Sequence, residues 1–455
     1  MLKTYKIERF LDDECLLYLP SSVPLNADSL HQVSLGSKYA TASCNSHPNG
    51  RNVIGISSKL CEELHFPSKL ETISFIINDD RVYLGPLIGI FTAGFTSFRL
   101  NPIGERSSFF SKLLSVQSAL GVIPFVFGEK HIDWENGLIR GLFYFKNNWE
   151  TVTVPFPSVI YDRLPNRRSE KKKTYNEIKE KLQTQYGIPW YNPGFFNKMD
   201  LFERLEFDEK VNRYLPETNS FQSFEEIERM LASYGHVFLK PKNGSLGNGI
   251  HKITYNPNLG EYYCRFTDRD EKKRLWKFST LEQLINKVFR KKQLEKMLVQ
   301  QGIPLLHKDH RPIDFRVHTN KDENGSWQVS AIAAKVAGAG SVTTHVRSGG
   351  EVKSLNELFS LEESKIYEER LKSAALTLST AIDQNIDGFI GEIGFDLGID
   401  QNEKVWMFEA NSKPGRSIFA HPQLKQSDLL TRKLALSFGA YLSQKALLHP
   451  GEMVK

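Results

Sequence analysis

Residues 390–415 read IGEIGFDLGIDQNEKVWMFEANSKPG, two apolar runs on either side of a polar segment at 400–404. Side chains alternate between the two faces of a strand, so Glu409 and Asn411 point the same way. If the polar segment forms the turn of a hairpin, Asp396 lies opposite Glu409, with Cβ atoms about 5 Å apart. The stretch therefore predicts an antiparallel hairpin that carries three oxygen-bearing side chains on one face.

The other face of this hairpin is apolar and is expected to join a protein core. The same alternation assigns five side chains to it: Phe395, Leu397, Ile399, Trp406 and Phe408. The predicted hairpin is thus apolar on one side and acidic on the other.

The acidic face is a candidate metal site. Two carboxylates in close contact repel each other unless a cation lies between them. Asp396, Glu409 and Asn411 offer oxygen ligands only, a set that favours Mg²⁺ or Mn²⁺ over zinc. The remaining ligands of such a site normally come from water and substrate phosphates. The alternative interpretation is a solvent-facing hairpin whose acids only keep the protein soluble.

Length and composition limit the class of protein. A chain of 455 residues predicts two to four domains, and 40% hydrophobic with 25% charged residues is typical of a globular protein. The net charge of +6 is spread along the chain, so no nucleic-acid partner is expected. The N-terminus lacks a secretory pattern, and the longest uncharged apolar run, 84–95, falls short of the roughly 20 residues of a membrane span. We expect a cytoplasmic protein without a membrane span.

The pattern of apolar runs and turn residues predicts three domains. Short β-like runs favour a β-rich N-terminal domain over 1–83, and buried-strand runs with a helical stretch favour an α/β domain over 84–190. Helical segments interleaved with strands favour an α+β domain over 191–446. The charged segment 167–181 is interpreted as a solvated helix rather than a nucleic-acid patch.

A glycine-rich loop follows a predicted strand at 237–239 and precedes another at 250–255. Because it opens no helix, it is neither a Walker loop nor a dinucleotide fingerprint. A glycine loop that closes a hairpin can fold its N–H groups over phosphates, and the lysine at the strand end can bind one as a point charge. The candidate phosphate ligands are Lys240, Lys242, Gly244, Ser245, Gly247 and Gly249. A plain hairpin turn is the alternative.

A second candidate binding segment is the β-like run at 297–301, which a glycine and a proline interrupt. Backbone groups freed at such a break, around Gln300, Gln301 and Ile303, are suited to pair with the edge of an adenine. An ordinary core strand followed by a turn would give the same pattern.

Three cationic side chains are candidates for stabilising a phosphoryl group. Arg316 shares one strand face with Asp314 in the segment DFR and is suited to bidentate phosphate or carboxylate binding, although a simple surface pair with Asp314 is the alternative. Lys335 and Arg347 lie near flexible glycines and could steady a transferring phosphoryl group. His345 is a weaker candidate base, because a lone histidine is more often structural.

These segments in this order resemble the ATP-grasp superfamily: the strand ending in Lys240, the flap NGSLGNG, the hinge near Gln300, DFR, and the hairpin that ends in EANSKPG. The spacing of Asp396, Glu409 and Asn411 is similar to the metal-binding acids of D-alanine-D-alanine ligase. The resemblance implies two α+β lobes that clamp ATP, preceded by a small α/β domain. It also implies a phosphate contact for Lys198, while Gln300 and Gln301 replace a hinge acid of many relatives and leave ribose recognition unassigned.

The segments LGPLIGIFTAG, VIYDRLPNR, YLPET and FEANSKPGRSIF make nearly the whole chain similar to the YheC/YheD family of spore-forming bacteria, described as endospore coat-associated. The ATP-grasp resemblance implies a Mg-ATP-dependent carboxylate-amine ligase that works through an acyl phosphate. The resemblance to the YheC/YheD family implies a protein of sporulating cells, in the cytoplasm or at the spore coat, and supplies neither a substrate nor a reaction. Its partners would be a nucleotide, an unidentified carboxylate and amine on a peptide or protein, and spore coat proteins. The alternatives are an ATP-binding structural coat component without turnover, and a phosphotransferase.

Overall fold

The computed structural model describes residues 3–24, 31–242, 248–268, 270–289, 291–345 and 348–453. The N-terminal part consists of short strands in a five-stranded and a four-stranded sheet. Its elements are β1 (Tyr5–Phe10), β2 (Leu16–Leu19), β3 (Gln32–Leu35), β4 (Lys38–Thr41), β5 (Ser43–Ser46), β6 (Ile54–Ser57), α1 (Ser58–Glu63), β7 (Thr72–Ile73), β8 (Phe75–Asn78) and β9 (Arg81–Leu84). The prediction of a β-rich N-terminal region is confirmed.

A mixed α/β layer follows. Its elements are β10 (Leu87–Phe91), α2 (Ser107–Leu114), α3 (Gln117–Leu120), β11 (Ile123–Phe127), β12 (Ile132–Asp133), β13 (Leu138–Phe145), β14 (Asn148–Pro155), β15 (Val159–Asp162), α4 (Arg167–Glu170), α5 (Lys173–Thr184) and β16 (Trp190–Tyr191). Strand β10 pairs in parallel with β11 and β15. All three strands are buried along their length, because a parallel sheet covered on both faces selects continuous apolar runs.

The next unit is an antiparallel sheet in the order β17-β22-β18-β19-β20-β21, backed by two helices. Its elements are α6 (Lys198–Glu206), β17 (Thr218–Ser220), α7 (Phe224–Tyr234), β18 (His236–Pro241), β19 (His251–Asn256), β20 (Glu261–Thr267), β21 (Lys273–Phe278), α8 (Leu281–Val288), α9 (Lys291–Leu294) and β22 (Met297–Gln301). Helices α7 and α8 bury one apolar stripe each against this sheet. Helix α6 packs instead in the core of the following unit.

The last unit contains the hairpin from which the sequence analysis began. Its sheet runs β26-β25-β24-β27-β28, with β23 paired to β24 at the side, and it packs on α6 and α10. The elements are β23 (His307–Lys308), β24 (Arg311–Lys321), β25 (Trp327–Val336), β26 (Glu351–Lys353), α10 (Leu361–Asn385), β27 (Glu392–Ile399), β28 (Val405–Asn411) and α11 (Lys425–Leu448). The mixture of α/β and α+β layers predicted from the sequence is confirmed.

Helix α11 returns the chain to the α/β layer. Leu436, Phe438 and Leu442 lie in one apolar cluster with Ile88 and Tyr161 of β10 and β15. A second apolar cluster joins the N-terminal strands to the same layer. These shared cores connect the regions, and the division at 83/84 and 190/191 stays a prediction.

The hairpin has the predicted register at its acidic end but not the predicted faces along β28. Asp396 pairs with Glu409, whereas a β-bulge after Asp396 pairs Leu397 with Met407. The extra residue shifts the alternation, so Val405 and Met407 lie in the core. The prediction that Trp406 and Phe408 belong to the core face is wrong, because the bulge turns both toward the acidic face. Phe408 lines a cavity there, and the indole N–H of Trp406 donates to Asp400 at 2.8 Å.

Gly398 makes room for this arrangement. A Cβ atom at Gly398 would lie 2.5 Å from Cδ2 of Leu305 and 2.6 Å from the ring of Phe408. We expect Gly398→Ala to lower the free energy of unfolding by about 1–3 kcal/mol, because one side chain must leave its rotamer. The matched control is Gly415→Ala, where an added Cβ meets open space. Equal denaturation midpoints for the two variants would contradict this packing.

Candidate active site

A cavity of about 660 Å³ opens between the sheet that contains β18 and β22 and the sheet that contains β24, β25, β27 and β28. Many of the site residues predicted from the sequence line it: Lys198, Lys240, Gln300, Gln301, Ile303, Lys335, Asp396 and Glu409. Lys242, Gly249, Arg316 and Asn411 are not among the lining residues. Gly244, Ser245, Gly247 and Arg347 lie outside the described residues. One cavity thus brings together residues that are up to 211 positions apart in sequence, from Lys198 to Glu409.

The two acids of the hairpin meet at the floor of the cavity. Asp396 pairs with Glu409 and Gly394 with Asn411 across β27 and β28, so all three predicted oxygen ligands share this end of the hairpin. Carboxylate and amide oxygens are the donors that Mg²⁺ and Mn²⁺ prefer. The residues present therefore fit a divalent ion in the chemistry of their donor atoms.

Asp396 is neutralised by two cations of the same sheet. Its Oδ1 lies 2.8 Å from Nζ of Lys335 and 3.5 Å from Nε of Arg316. Burial alone would raise the pKa of Asp396, but Arg316 and Lys335 outweigh burial and hold the pKa well below its usual range. Asp396 is therefore a permanent carboxylate, and its charge is fixed before any ligand arrives.

Lys335 bridges two acids. Its Nζ lies 2.9 Å from Oδ1 of Asp314 as well as 2.8 Å from Asp396, and the hydroxyl of Thr344 donates to the other oxygen of Asp314. Burial opposes the charge of Lys335, but Asp314 and then Asp396 overcome it and raise the pKa of the ammonium group. The contacts of Lys335 are therefore those of a residue that positions Asp396, an arrangement that the sequence analysis did not foresee.

Lys198 contacts the second acid of the hairpin from a helix that packs in the core of the same unit. It is the first residue of α6, where the side chain of Asn197 caps the helix by accepting from the N–H of Met199. Its Nζ lies 3.2 Å from Oε2 of Glu409, and both side chains are partly exposed to the cavity. Ion pairs that remain in contact with solvent contribute little, so the ammonium group of Lys198 can exchange Glu409 for another anion at low cost.

Lys240 enters the cavity from the end of β18. Its ammonium group donates to Oε1 of Gln300, whose amide in turn donates to the hydroxyl of Thr218 at 2.8 Å. Its Nζ also lies 5.6 Å from the ring centre of Phe408 on the opposite sheet. Burial and then the charge of Lys198 lower the pKa of Lys240 to about 8, against the opposing effect of Glu409. An anionic ligand beside Lys240 would restore its positive charge.

This lowered pKa predicts the pH dependence of anion binding in the cavity. Lys240 is charged below about pH 8 and loses its proton above that value, so affinity for ATP should fall as pH rises through 8. Calorimetric titration of ATP at a series of pH values measures this slope. Lys240→Gln should weaken binding and remove the fall, whereas a wild-type affinity that stays constant above pH 8 would contradict this role for Lys240.

The glycine loop closes a hairpin, as its flanks predicted. Strands β18 and β19 pair antiparallel from His236 opposite Thr254 to Leu239 opposite His251. Asn248 and Ile250, at the far end of the loop, line the cavity. The chain therefore lines the cavity on both sides of residues 243–247, at Pro241 and at Asn248.

The predicted hinge leaves a backbone donor free at the cavity. Strand β22 ends at Gln301, and the N–H of Gly302 donates to the carbonyl of His236 at 3.0 Å. Among the described residues, the N–H of Ile303 has no hydrogen-bond partner, although Ile303 is buried. Buried N–H groups are almost always paired, so this one marks a place for a ligand acceptor.

Several cavity residues were not proposed as ligands from the sequence. They include Thr218, His236, Lys252, Arg265, His307, His310, Arg311, Thr344 and Phe408. Most reach the cavity through pairing between distant strands, for which a single sequence gives no local signal. Asp314 is different, because its alternation with Arg316 was visible and indicated one shared strand face.

Comparison with known proteins shows which family model and which proteins this chain is similar to. Residues 187–442 match the family model described as YheC/D like ATP-grasp. The chain is 41% identical over 438 residues to the Endospore coat-associated protein YheD of Bacillus subtilis (strain 168), covering 96% of both chains. It is 23% identical over 289 residues to the Endospore coat-associated protein YheC of the same organism, covering 62% of this chain and 78% of YheC. The solved D-alanine-D-alanine ligase of Coxiella burnetii matches 80% of this chain and 99% of its own, with 12% identity and a TM-score of 0.43.

The fold is that of an ATP-grasp protein, which implies the binding of ATP and, in general, the use of a divalent metal. The chain belongs to the YheC/D-like ATP-grasp family. The ATP-grasp fold and the family predicted from the sequence are both confirmed.

Two features are absent from the part of the chain that the structure describes. No group of three or more His, Cys, Asp or Glu side chains in that part of the chain is arranged to hold a metal. The candidate set at the hairpin is of a different kind, because it consists of two acids and an amide. Across the same residues, no helix is both long and apolar enough to cross a membrane.

Proposed function

We propose that this protein binds Mg-ATP in the cavity and uses it to join a carboxylate to an amine, with an acyl phosphate as intermediate. One observation carries the proposal. The paired acids Asp396 and Glu409 line the same cavity as the lysines Lys198 and Lys240, which come from outside the hairpin's sheet. Opposed acids and lysines at one point suit a triphosphate with its metal ion.

The cavity supports one orientation of the nucleotide. The free N–H of Ile303, next to Gln301, would receive the adenine edge. Lys240 and Lys198 would contact the phosphates, because each is partly exposed to the cavity and each has a partner that it can exchange. Asp396, Glu409 and Asn411 would hold the divalent ion, which when bound neutralises charge on the phosphates.

The chain's own residues would act mainly by position and charge. The substrate carboxylate attacks the γ-phosphorus, the bond from that phosphorus to the β–γ bridging oxygen breaks, and ADP leaves. The amine then attacks the acyl carbon, loses a proton and expels inorganic phosphate. Arg316 and Lys335 keep Asp396 ionised throughout, and Lys240 would stabilise the charge that develops on the phosphates.

The test is untargeted, because the substrates are unknown. Purified protein is incubated with Mg-ATP and an extract of sporulating cells, and new masses are sought that require both ATP and Glu409. Release of ADP and phosphate with a panel of carboxylates and amines is measured alongside. A product that contains a new amide supports the proposal.

The same assay separates the alternatives. A product that carries phosphate in place of an amide would select a phosphotransferase. Tight ATP binding without ADP release under any condition would select an ATP-binding structural protein. Absence of nucleotide binding would overturn all three functions.

The names of two relatives support a proposal for the cellular role. Both are described as endospore coat-associated, and one of them matches 96% of this chain. We propose that this protein acts during formation of the endospore coat, on a peptide or protein component of it.

A further inference from the structure

A cluster of arginines lies where the α/β layer meets the sheet of β24 and β27. Arg163 follows β15, Arg416 follows β28, and their guanidinium carbons lie 5.0 and 5.6 Å from the ring centre of Phe109 on α2. Arg106 contacts the carbonyl of Arg163 at 3.4 Å, and Arg432 of α11 shares Asp428 with Arg416. We call Arg106, Arg163, Arg416 and Arg432 the arginine cluster.

Internal ion pairs do not balance this cluster. Arg163 pairs with Glu392, and Arg416 and Arg432 both pair with Asp428, so four guanidinium groups face two carboxylates. Within the described part of the chain, the hydrogen bonds of Arg106 go to neutral oxygens, those of Thr92, Ala93 and Arg163. Burial, and then the charge of Arg163, lower the pKa of Arg106 to about 10. The cluster thus holds uncompensated positive charge in a partly buried place.

An interdomain clamp explains only part of the cluster. The pair of Arg163 with buried Glu392, together with the hydrogen bond from Tyr161 to the same carboxylate, ties the α/β layer to β27. An ion-pair contact between two regions needs one cation for each acid, and additional cations would destabilise it by repulsion. The charge of Arg106, and that of one of the two arginines paired with Asp428, is therefore left for another anion to neutralise.

The cluster lies on the same sheet face as the proposed reaction centre. Glu392, Gly394 and Asp396 alternate along β27, so the side chains of Glu392 and Asp396 share one face, roughly 13 Å apart along the strand. Arg316 lies between them, with its Nη1 3.2 Å from where a Cβ of Gly394 would be. That buried nitrogen has no hydrogen-bond partner in the described part of the chain. One buried donor without a partner, Nη1 of Arg316, thus lies between the hairpin acids and the cluster.

We propose that the arginine cluster binds an oxyanion, a carboxylate, of the second substrate, while the reacting group of that substrate lies beside Asp396. This inference rests on the proposed function, since it names the substrate class of the same site. A span of roughly 13 Å corresponds to about four extended residues. The substrate is therefore an acidic peptide segment rather than a single amino acid.

The experiment titrates triglutamate into the full-length protein by calorimetry, with triglutamine as the neutral control and inorganic phosphate as a second oxyanion. Triglutamate should bind and triglutamine should not. Arg106→Gln and Arg432→Gln should each weaken triglutamate binding roughly 10-fold, because each removes a charged donor. Arg370→Gln is the matched control, because Arg370 forms an exposed pair with Glu403 elsewhere on the protein. A third outcome is that phosphate binds as tightly as triglutamate and that both cluster variants weaken phosphate binding to the same extent. This outcome would support an oxyanion site and overturn the assignment of a peptide ligand.

Further measurements distinguish binding at this site from binding in the nucleotide cavity. Lys240→Gln should leave triglutamate binding unchanged, and ATP affinity should be unchanged in Arg106→Gln. The inference would be overturned if triglutamate binding were lost only in Lys240→Gln. It would also be overturned if both cluster variants bound triglutamate as wild type does, or if the wild-type protein did not bind triglutamate. Triglutamate binding without ATP binding would instead overturn the proposed function alone. If Arg106→Gln fails to fold, two other variants provide the test. Arg432→Gln should weaken triglutamate binding, and Arg106→Lys should retain it.

Discussion

Asp396→Asn is expected to lower the free energy of unfolding by about 3–5 kcal/mol, even without nucleotide, because it leaves two buried cations without their shared partner. The carboxylate of Asp396 is 90% buried and contacts both Lys335 and Arg316. An amide of the same shape keeps the packing but removes the charge. Chemical denaturation of wild type and variant, with no ligand added, measures the loss.

The control for this prediction is Asp200→Asn. Asp200 pairs with Arg204 on the surface of α6, and such exposed pairs contribute about 0–1 kcal/mol. Similar losses in the two variants would show that the charge of Asp396 is not needed to hold Lys335 and Arg316, and that the acid network does not organise the cavity floor.

Glu409→Gln should have the opposite profile, with a small effect on stability and a large effect on ligand binding. Glu409 is partly exposed, and among the residues that the structure describes it forms an ion pair with Lys198 alone, so its loss should lower the stability of the ligand-free protein little. Affinity for Mg-ATP should fall at least roughly 100-fold, because one of the two proposed anionic metal ligands is lost. Calorimetry with Mg-ATP and thermal denaturation without it give the two measurements.

Glu403→Gln is the matched control, since Glu403 lies in the turn of the same hairpin and forms an exposed pair with Arg370. It should bind Mg-ATP as wild type does. If Glu409→Gln binds like this control, Glu409 is not a metal ligand. If it unfolds without ligand, the acidic face is structural.

The acidic end of the hairpin could be predicted because the information is local. The polar turn at 400–404 fixes the pairing of the two strands, and the hydrogen bond from Asp400 N to the carbonyl of Lys404 closes it. Period-two alternation puts Glu409 and Asn411 on one face. The register at the turn, with Ile399 opposite Val405, would by itself bring Asp396 opposite Phe408, and the extra residue of the bulge brings it opposite Glu409. The side chains of Trp406 and Phe408 were misplaced because a bulge has no clear signature in one sequence.

The role of Lys335 depends on contacts that alternation cannot reveal. It lies opposite Asp314 on β24, and Asp396 approaches from β27 on the other side of β24. The order of strands in a sheet decides which acids a lysine meets, and that order is a property of the whole fold. The sequence therefore indicated a cation near the site but not its two carboxylate partners.

Helix α11 was missed for a different reason. Residues Leu434 to Gly439 are all buried, so this helix is enclosed on every side in its middle. A helix covered all round lacks the apolar stripe by which an amphipathic helix is recognised. Its place between the α/β layer and the last sheet was not predictable from its own residues.

The most direct test of the central claim, that the cavity between the two sheets binds ATP with a divalent ion, is calorimetric titration of ATP into the purified wild-type protein with Mg²⁺ and with EDTA. Saturable binding of one nucleotide per chain in Mg²⁺, strongly weakened by EDTA and by Glu409→Gln, is the predicted result. No binding, or binding indifferent to both the metal and Glu409, would contradict it.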